Sequence, residues 1–246
     1  MRSVGVRAAT ALLAVAFGVL WQARADDDVP ARAGSAQYLL FASTDLWRNG
    51  AFLHSGVVWS PGGIDNEGFA LKAMFGGGEY RYTSGALGNV RVRGRMLAAA
   101  ILPGWRFKTG VLTATVYGGL DVQNHWLSPD DPSAGLRGSR IGLRSAIELW
   151  YQWSATSMLA FDASVSSVGP SYSVRGTAGW RAFDWFYLGP EISAFGHDGN
   201  YRQLRAGAHV TALKAAALEW SAALGVARDS DHRTGPYARL GVLARR

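Results

Sequence analysis

The chain has 246 residues, of which 48% are apolar and only 17% charged, and it contains 31 glycines and no cysteine. This composition excludes an extensively disordered chain, which would be more charged and less apolar. The lack of cysteine excludes disulfides, thiolate metal sites and cysteine nucleophiles. The net charge of +7 comes from Lys and Arg spread along the chain, so we expect no nucleic-acid partner.

The start of the chain has the features of a secretory signal peptide. A basic segment with Arg2 and Arg7 precedes an apolar stretch over residues 8–20, and Ala23-Arg24-Ala25 is an A-x-A cleavage site. The apolar stretch is shorter than the ~20 residues that a membrane-spanning helix needs. We therefore predict cleavage near Ala25. The predicted regions are a signal peptide over 1–25, a periplasmic leader over 26–36 and an outer-membrane β-barrel over 37–246.

From Gln37 onwards, apolar and polar residues alternate with a period of two, which is typical of β-strands. In one example, Tyr172, Val174 and Trp180 alternate with serine, threonine and arginine. A change of phase at Gly76-Gly77-Gly78 predicts a bulge or bend in the third strand. The alternation predicts about twelve strands, at 37–45, 51–60, 67–83, 89–103, 111–124, 138–152, 156–168, 171–181, 185–195, 201–212, 217–227 and 236–244.

The connections between the predicted strands alternate in length. The connections 153–155 and 182–184 are short, whereas the connections 125–137 and 228–235 are long. Short periplasmic turns, longer outer loops and an even number of strands are typical of outer-membrane barrels. We therefore predict an all-β fold, a transmembrane antiparallel up-and-down β-barrel located in the outer membrane. A soluble sandwich is the alternative, but it would place charged residues on its outer faces, and here the apolar face is clean.

Charged residues within these strands are expected to face the lumen, since Arg or Lys on the lipid face near the midplane costs about 2–4 kcal/mol. We expect the acidic residues to pair there with the basic ones. Such a lining either guides a polysaccharide or an ion, or it only fills and stiffens a small barrel, and we favour the second interpretation. The candidate lumen-facing residues are Arg91, Arg93, Arg95, Asp121, Arg140, Arg144, Glu148, Asp162, Arg175, Glu191, Arg205, Glu219 and Arg239.

Several long segments rich in Trp, Gly and Pro carry a family resemblance. They are 45–54 (DLWRNGAFLH), 59–63 (WSPGG), 102–107 (LPGWRF), 119–125 (GLDVQNH), 127–132 (LSPDDP), 169–173 (GPSYS), 179–181 (GWR), 186–191 (FYLGPE) and 201–205 (YRQLR). Together they resemble the cellulose biosynthesis protein BcsS family of alphaproteobacteria. The resemblance implies a role in cellulose production at the outer membrane, with outer-membrane lipids, cellulose and other cellulose-synthesis proteins as partners. It carries over no catalytic residue.

We predict a non-catalytic accessory protein of cellulose biosynthesis or export, without a metal or cofactor. A small general porin is the alternative. A lipid hydrolase is a further one, for which His54 and His209 are the available bases, but the chain has no G-x-S-x-G motif. Its five histidines form no sequence cluster typical of a metal site. Candidates for stacking on glucan are Trp47, Trp126 and Tyr201, which lie near predicted loops.

Overall fold

The computed structural model describes residues 36–197 and 201–246, so the predicted signal peptide and nearly all of the predicted leader lie outside the described residues. The described part forms twelve β-strands, as the alternation predicts. None of its residues forms a helix long and apolar enough to cross a membrane. The strands are β1 (Tyr38–Trp47), β2 (Gly50–Trp59), β3 (Gly68–Ser84), β4 (Val90–Thr109), β5 (Leu112–Ser128), β6 (Gly138–Ser154), β7 (Ser157–Ser166), β8 (Ser171–Ala182), β9 (Phe186–His197), β10 (Tyr201–Ala215), β11 (Leu218–Asp229) and β12 (Thr234–Arg245).

The strands form one closed antiparallel barrel in which each strand pairs with its neighbours in sequence. Closure is made by β1 and β12, whose register runs from Leu39 opposite Arg245 to Trp47 opposite Tyr237. Because the sheet has no open edge, its backbone N–H and C=O groups are paired within the barrel, as a protein surrounded by hydrocarbon requires.

The outer wall of the barrel is apolar. On β4, Leu97, Ile101 and Trp105 lie on the same face at every fourth position and are 59%, 59% and 47% exposed, and Ile141 on β6 is 77% exposed. Such a continuous apolar band would be unfavourable in water, but it suits contact with acyl chains. The architecture is therefore that of a transmembrane barrel.

The two ends of the barrel differ in their connections. The terminal end, where β1 begins and β12 ends, carries the connections 60–67, 110–111, 155–156, 183–185 and 216–217. The opposite end, which we call the outer end, carries the connections 48–49, 85–89, 129–137, 167–170 and 230–233. The predicted long connections around 129–137 and 230–233 both lie at the outer end. The connection 60–67 departs from the expected pattern, because it is long and lies at the terminal end.

Of the bulge or bend predicted at Gly76-Gly77-Gly78, the bulge is wrong, because β3 keeps continuous register with β2 and β4 through these residues. Gly76 and Gly78 instead make room for larger side chains on β2. A Cβ on Gly76 would lie 2.9 Å from the Cβ of His54, and one on Gly78 would fall against the Phe52 ring. Register shifts occur elsewhere, between Val210 and Leu213 of β10 and near the end of β6.

Aromatic rings cover glycines on neighbouring strands at several inward positions. Tyr80 lies opposite Gly94 and Tyr237 lies opposite Gly225 in the registers of β3–β4 and β11–β12. In both pairs the ring occupies the space that a Cβ on the glycine would need. The ring supplies the packing that glycine lacks in a strand, which accounts for part of the high glycine content.

Candidate functional site

The lumen contains two cavities of similar size. The outer cavity has a volume of about 1080 Å³ and the inner cavity, at the terminal end, about 1050 Å³. Their walls have Asp162, Arg175 and Ser221 in common. These residues therefore mark the level at which the two cavities adjoin.

Ion pairs are concentrated near this level, and some of them join strands that are not neighbours in the sheet. Lys72 on β3 pairs with Glu148 on β6, although two strands separate β3 from β6 around the ring. The Lys72 ammonium also lies 5.1 Å from the centroid of the Phe41 ring, a distance typical of a cation–π contact. Arg239 on β12 likewise pairs with Glu191 on β9, whose side chain is only 1% exposed.

A third pair, Asp162 with Arg175, joins the adjacent strands β7 and β8, with Arg175 Nε donating to Asp162 over 2.9 Å. We call these three ion pairs the central belt. Because the belt contains three acidic and three basic groups, its charge is balanced. Long side chains that join different walls also occupy the middle of the barrel. The belt therefore separates an outer from an inner chamber and braces the wall between them.

A polar network forms one wall of the outer cavity. Asp121 is 1% exposed and accepts hydrogen bonds from Arg144 Nη2 (2.7 Å), Ser166 Oγ (2.5 Å) and Gln123 Nε2 (2.9 Å). The same glutamine contacts His125, whose Nδ1 lies 3.2 Å from the Tyr80 hydroxyl. A chain of hydrogen bonds thus fixes the side chains of β3, β5, β6 and β7 against one another.

Aromatic side chains form two facing walls of the outer cavity. Tyr80 and Tyr82 on β3 are stacked, with ring centroids 6.3 Å apart and planes at 20°. Phe195 on β9 and Tyr201 on β10 form a second pair with centroids 6.3 Å apart, and His197 stacks on Tyr201 at 5.1 Å. All five residues line the cavity. Since β3 and β9 lie six strands apart in either direction around the ring, the two aromatic walls face each other.

The connection 129–137 covers part of the outer cavity and is held by Asp131. This carboxylate accepts hydrogen bonds from the Tyr82 hydroxyl (3.0 Å) and from the backbone N–H and hydroxyl of Ser133 (3.1 and 2.6 Å). The Ser133 hydroxyl, followed by that of Ser84, lowers the pKa of Asp131 to about 2. Residues 133–136 line the cavity, so the connection is a cover tied to the wall of β3.

Most of the predicted lumen residues lie on the inward-facing side of their strands, and three do not. Arg91, Arg93 and Arg95 share the outward face of β4 with Leu97 and are exposed, so their prediction as lumen residues is wrong. Above the hydrocarbon layer both faces of a strand meet polar surroundings, and the rule that sends charges inward no longer applies. The residues placed on the inward side are Asp121, Arg140, Arg144, Glu148, Asp162, Arg175, Glu191, Arg205, Glu219 and Arg239.

Of the three residues proposed to stack on glucan, Trp47 and Tyr201 line the outer cavity. Trp126 does not join them. It lies on the outward face of β5 with Val122, is 48% exposed and stands opposite Arg95 in the register of β4 and β5.

Sequence reasoning missed Asp45, Lys72 and most of the aromatic lining. Asp45 and Lys72 alternate with outward apolar residues such as Leu46 and Leu71, and the rule that charges face inward would have found both. The tyrosines of β3 gave no comparable signal, because tyrosine occurs on the inward face, at the rim and on the outer wall of such barrels alike.

The two histidines considered as bases for hydrolysis both make contacts with neighbouring residues of the barrel. His209 is 1% exposed, and its ring nitrogens lie 2.9 Å from Thr211 Oγ1 and 3.1 Å from the Ala178 carbonyl oxygen. His54 packs against Phe41 with ring centroids 6.4 Å apart. Within 36–197 and 201–246, no group of three or more His, Asp or Glu side chains is arranged to hold a metal ion.

Comparison with known proteins gives one family and a set of similar folds. The family model "Cellulose biosynthesis protein BcsS" matches residues 39–246. Among solved structures, an outer-membrane channel from Pseudomonas putida F1 is 10% identical with a TM-score of 0.53, covering 89% of this chain and 100% of its own. The TodX deltaS2S3 mutant monoaromatic hydrocarbon channel is 8% identical with a TM-score of 0.54, covering 87% and 90%. At these identities the likeness shows the fold alone. No curated protein sequence matches significantly.

Proposed function

The chain belongs to the family of the cellulose biosynthesis protein BcsS, and from this membership we propose that it is a non-catalytic accessory barrel of the outer membrane that holds a segment of the secreted glucan in its outer cavity. The observation that carries the proposal is the pair of facing aromatic walls. Tyr80 and Tyr82 stand on one side of the cavity, and Phe195 and Tyr201 stand on the other.

The chemistry of these walls suits a β-linked glucan. The ring faces of such a polymer are lined by C–H groups and pack on aromatic rings, while its hydroxyls point sideways and need hydrogen-bonding partners. Between the aromatic walls the cavity presents polar side chains such as Ser43, Ser164 and Ser193. The cavity volume of about 1080 Å³ lies just above the ~300–1,000 Å³ typical of ligand pockets, which is enough for a short stretch of sugar units.

The central belt supports a holding role rather than a passage for the polymer. Lys72–Glu148 and Arg239–Glu191 cross the lumen below the aromatic walls. A glucan threaded through the barrel would have to break these pairs and leave charges unpaired in a confined space, which costs several kcal/mol each. The outer-membrane location, outer-membrane lipids as neighbours and contact with other cellulose-synthesis proteins are part of the same proposal.

Binding of cellohexaose to the purified, detergent-solubilised barrel tests the proposal. We expect saturable binding that is strongly weakened by Tyr82→Ala and by Tyr201→Ala and largely kept by Tyr201→Phe. The matched control is Trp126→Ala, which removes an exposed aromatic ring from the outside of the same end. The oligosaccharide should be recovered uncleaved. Absence of binding, or equal loss in the control, would contradict the proposal, as would unchanged cellulose at the surface of a deletion strain.

A small porin is a second candidate, favoured by one observation. The two cavities have Asp162, Arg175 and Ser221 in common, so only side chains separate them. Planar-bilayer conductance distinguishes the two functions. A porin gives large, steady ion conductance and no saturable binding of cellohexaose, whereas the proposed holding barrel conducts weakly and binds the sugar.

A further inference from the structure

Four arginines occupy outward positions of β3 and β4, apart from the ion pairs and the aromatic walls of the lumen. We call Arg81, Arg91, Arg93 and Arg95, together with Glu79, the arginine patch. Arg93 Nε and Arg95 Nε each donate to the Glu79 carboxylate over 3.0 Å. The side chains of Arg93 and Arg95 remain 47% and 63% exposed. The patch is therefore ordered by its own carboxylate and still open to an external ligand.

The patch has an excess of positive charge. It holds four guanidinium groups and the single carboxylate of Glu79, which pairs with Arg93 and Arg95, and Arg81 and Arg91 take part in no ion pair within the described part of the chain. Every other carboxylate on the described strands lies on an inward-facing position. The charge of the patch thus has no counterpart on the strands of the outer wall and is available to an anionic partner.

The patch begins where the apolar band ends. The neighbouring outward positions towards the middle of the barrel are Phe75, Leu97 and Val122, which are 64%, 59% and 43% exposed. Arginine costs about 2–4 kcal/mol at the bilayer midplane but only about 0–1 kcal/mol near the interface. Arg95, the first charged position beyond Leu97, therefore lies at the level of the lipid headgroups.

The two rims of the barrel have different chemistry. At the terminal end the outward strand positions that are described carry no charge and are rich in aromatic residues, namely Trp59, Trp105, Tyr151, Trp153 and Trp180. At the outer end, outward charges besides the patch are again basic, Arg202 on β10 and Arg228 on β11. A barrel between two identical leaflets would not need one aromatic rim and one basic rim. The basic rim at the outer end suits a layer of anionic headgroups.

We propose that the arginine patch binds the phosphate groups of lipid A, the phosphorylated glycolipid of the outer leaflet. Planar guanidinium groups bind phosphate oxygens through two parallel hydrogen bonds, and several of them on one face neutralise a doubly charged headgroup. Trp126 stands opposite Arg95 in the sheet register and offers an aromatic face to the glucosamine backbone of the lipid. The inference rests on the outer-membrane location proposed above but not on glucan binding.

Native mass spectrometry of the detergent-solubilised barrel, titrated with defined lipids, tests the inference. We expect bisphosphorylated lipid A to bind at least tenfold more tightly than enzymatically dephosphorylated lipid A and than phosphatidylglycerol. Arg93→Gln/Arg95→Gln should reduce this preference several-fold. The matched control is Arg137→Gln/Arg140→Gln, which removes two arginines from the same end of the barrel and should keep the wild-type preference.

Three results would overturn the inference: equal binding of both forms of lipid A, equal binding of phosphatidylglycerol, or unchanged binding in Arg93→Gln/Arg95→Gln. If that variant does not fold, as judged by heat-modifiable gel mobility, Arg81→Gln/Arg91→Gln takes its place, because it leaves the contacts of Glu79 intact. Cellohexaose binding tests the glucan proposal separately, so failure of one proposal can be told from failure of the other. A chain that stays soluble without detergent would refute the shared membrane location.

Discussion

The guanidinium group of Arg205 on β10 donates two hydrogen bonds to the carboxylate of Asp45 on β1, over 2.6 and 2.9 Å. The residues are 160 positions apart in the chain, and β11 and β12 lie between their strands. Arg205 also lies between the rings of Phe195 and Tyr237, at 4.9 and 5.0 Å from their centroids. One side chain thus connects the closing strand pair, the ion pairs of the lumen and an aromatic wall of the outer cavity.

Removal of one partner of this pair should destabilise the barrel. We expect Arg205→Met to lower the free energy of unfolding by about 2–3 kcal/mol, less than for a fully buried pair because the Asp45 side chain is 21% exposed. Urea titration of the refolded barrel, followed by tryptophan fluorescence, measures the change. The double variant Asp45→Asn/Arg205→Met should recover part of the loss, since it leaves no unpaired charge. A larger loss in the double variant would contradict this explanation.

The central belt should limit conduction through the lumen. Replacing Asp162 and Arg175 together by serine keeps the net charge and removes bulk where the cavities adjoin. We expect the single-channel conductance in planar bilayers to rise several-fold. Asp130→Ser/Arg137→Ser, which removes an ion pair from an outer connection, should leave conductance unchanged. Equal conductance of all three proteins would show that the restriction lies elsewhere.

Packing of Tyr80 against Gly94 should tolerate no added methyl group. A Cβ on Gly94 would overlap the Tyr80 ring, so we expect Gly94→Ala to cost about 1–3 kcal/mol of folding free energy. Gly118→Ala is the matched control, because a Cβ there meets nothing within 4 Å. Urea titration compares the two variants. If Gly118→Ala were as destabilising as Gly94→Ala, overlap with the Tyr80 ring would not be the cause.

The cover over the outer cavity should be sensitive to strong acid. Hydrogen bonds from Ser133 and Ser84 lower the pKa of Asp131 to about 2, so its stabilising contribution is complete above its ordinary pKa near 4 and is lost as the pH falls through about 2. A spin label on Ala134→Cys reports the change, since the chain has no other cysteine. We expect low mobility from pH 7 to 4 and rising mobility towards pH 2.

The variant Asp131→Asn separates this titration from general acid unfolding. Its label should be mobile at every pH, while heat-modifiable gel mobility remains that of a folded barrel. A label in the parent protein that stays immobile at pH 2, or one that is mobile already at pH 7, would show that Asp131 does not hold the cover.

The sequence was sufficient to predict the strands and their number, because lipid on one side and a polar lumen on the other impose a strict alternation. The same logic placed Asp121, Glu191 and Arg205 on the inward side. It failed at Arg91, Arg93 and Arg95, which lie beyond the apolar band, where either face of a strand accepts charge. Pairs across the lumen, such as Lys72 with Glu148, were also beyond reach, since barrel closure and strand tilt decide which walls face each other.

The seam between β1 and β12 sets a condition on biogenesis. Residues 39–47 find their second set of backbone partners only in residues 237–245, so nearly the entire polypeptide must be synthesised before the first strand is satisfied on both sides. Contacts between residues so far apart in the sequence form slowly. Until they form, the unpaired edge of the first strand can pair with other chains and cause aggregation. A nascent or truncated form of this protein therefore keeps one edge of its first strand unpaired until its last strand is available.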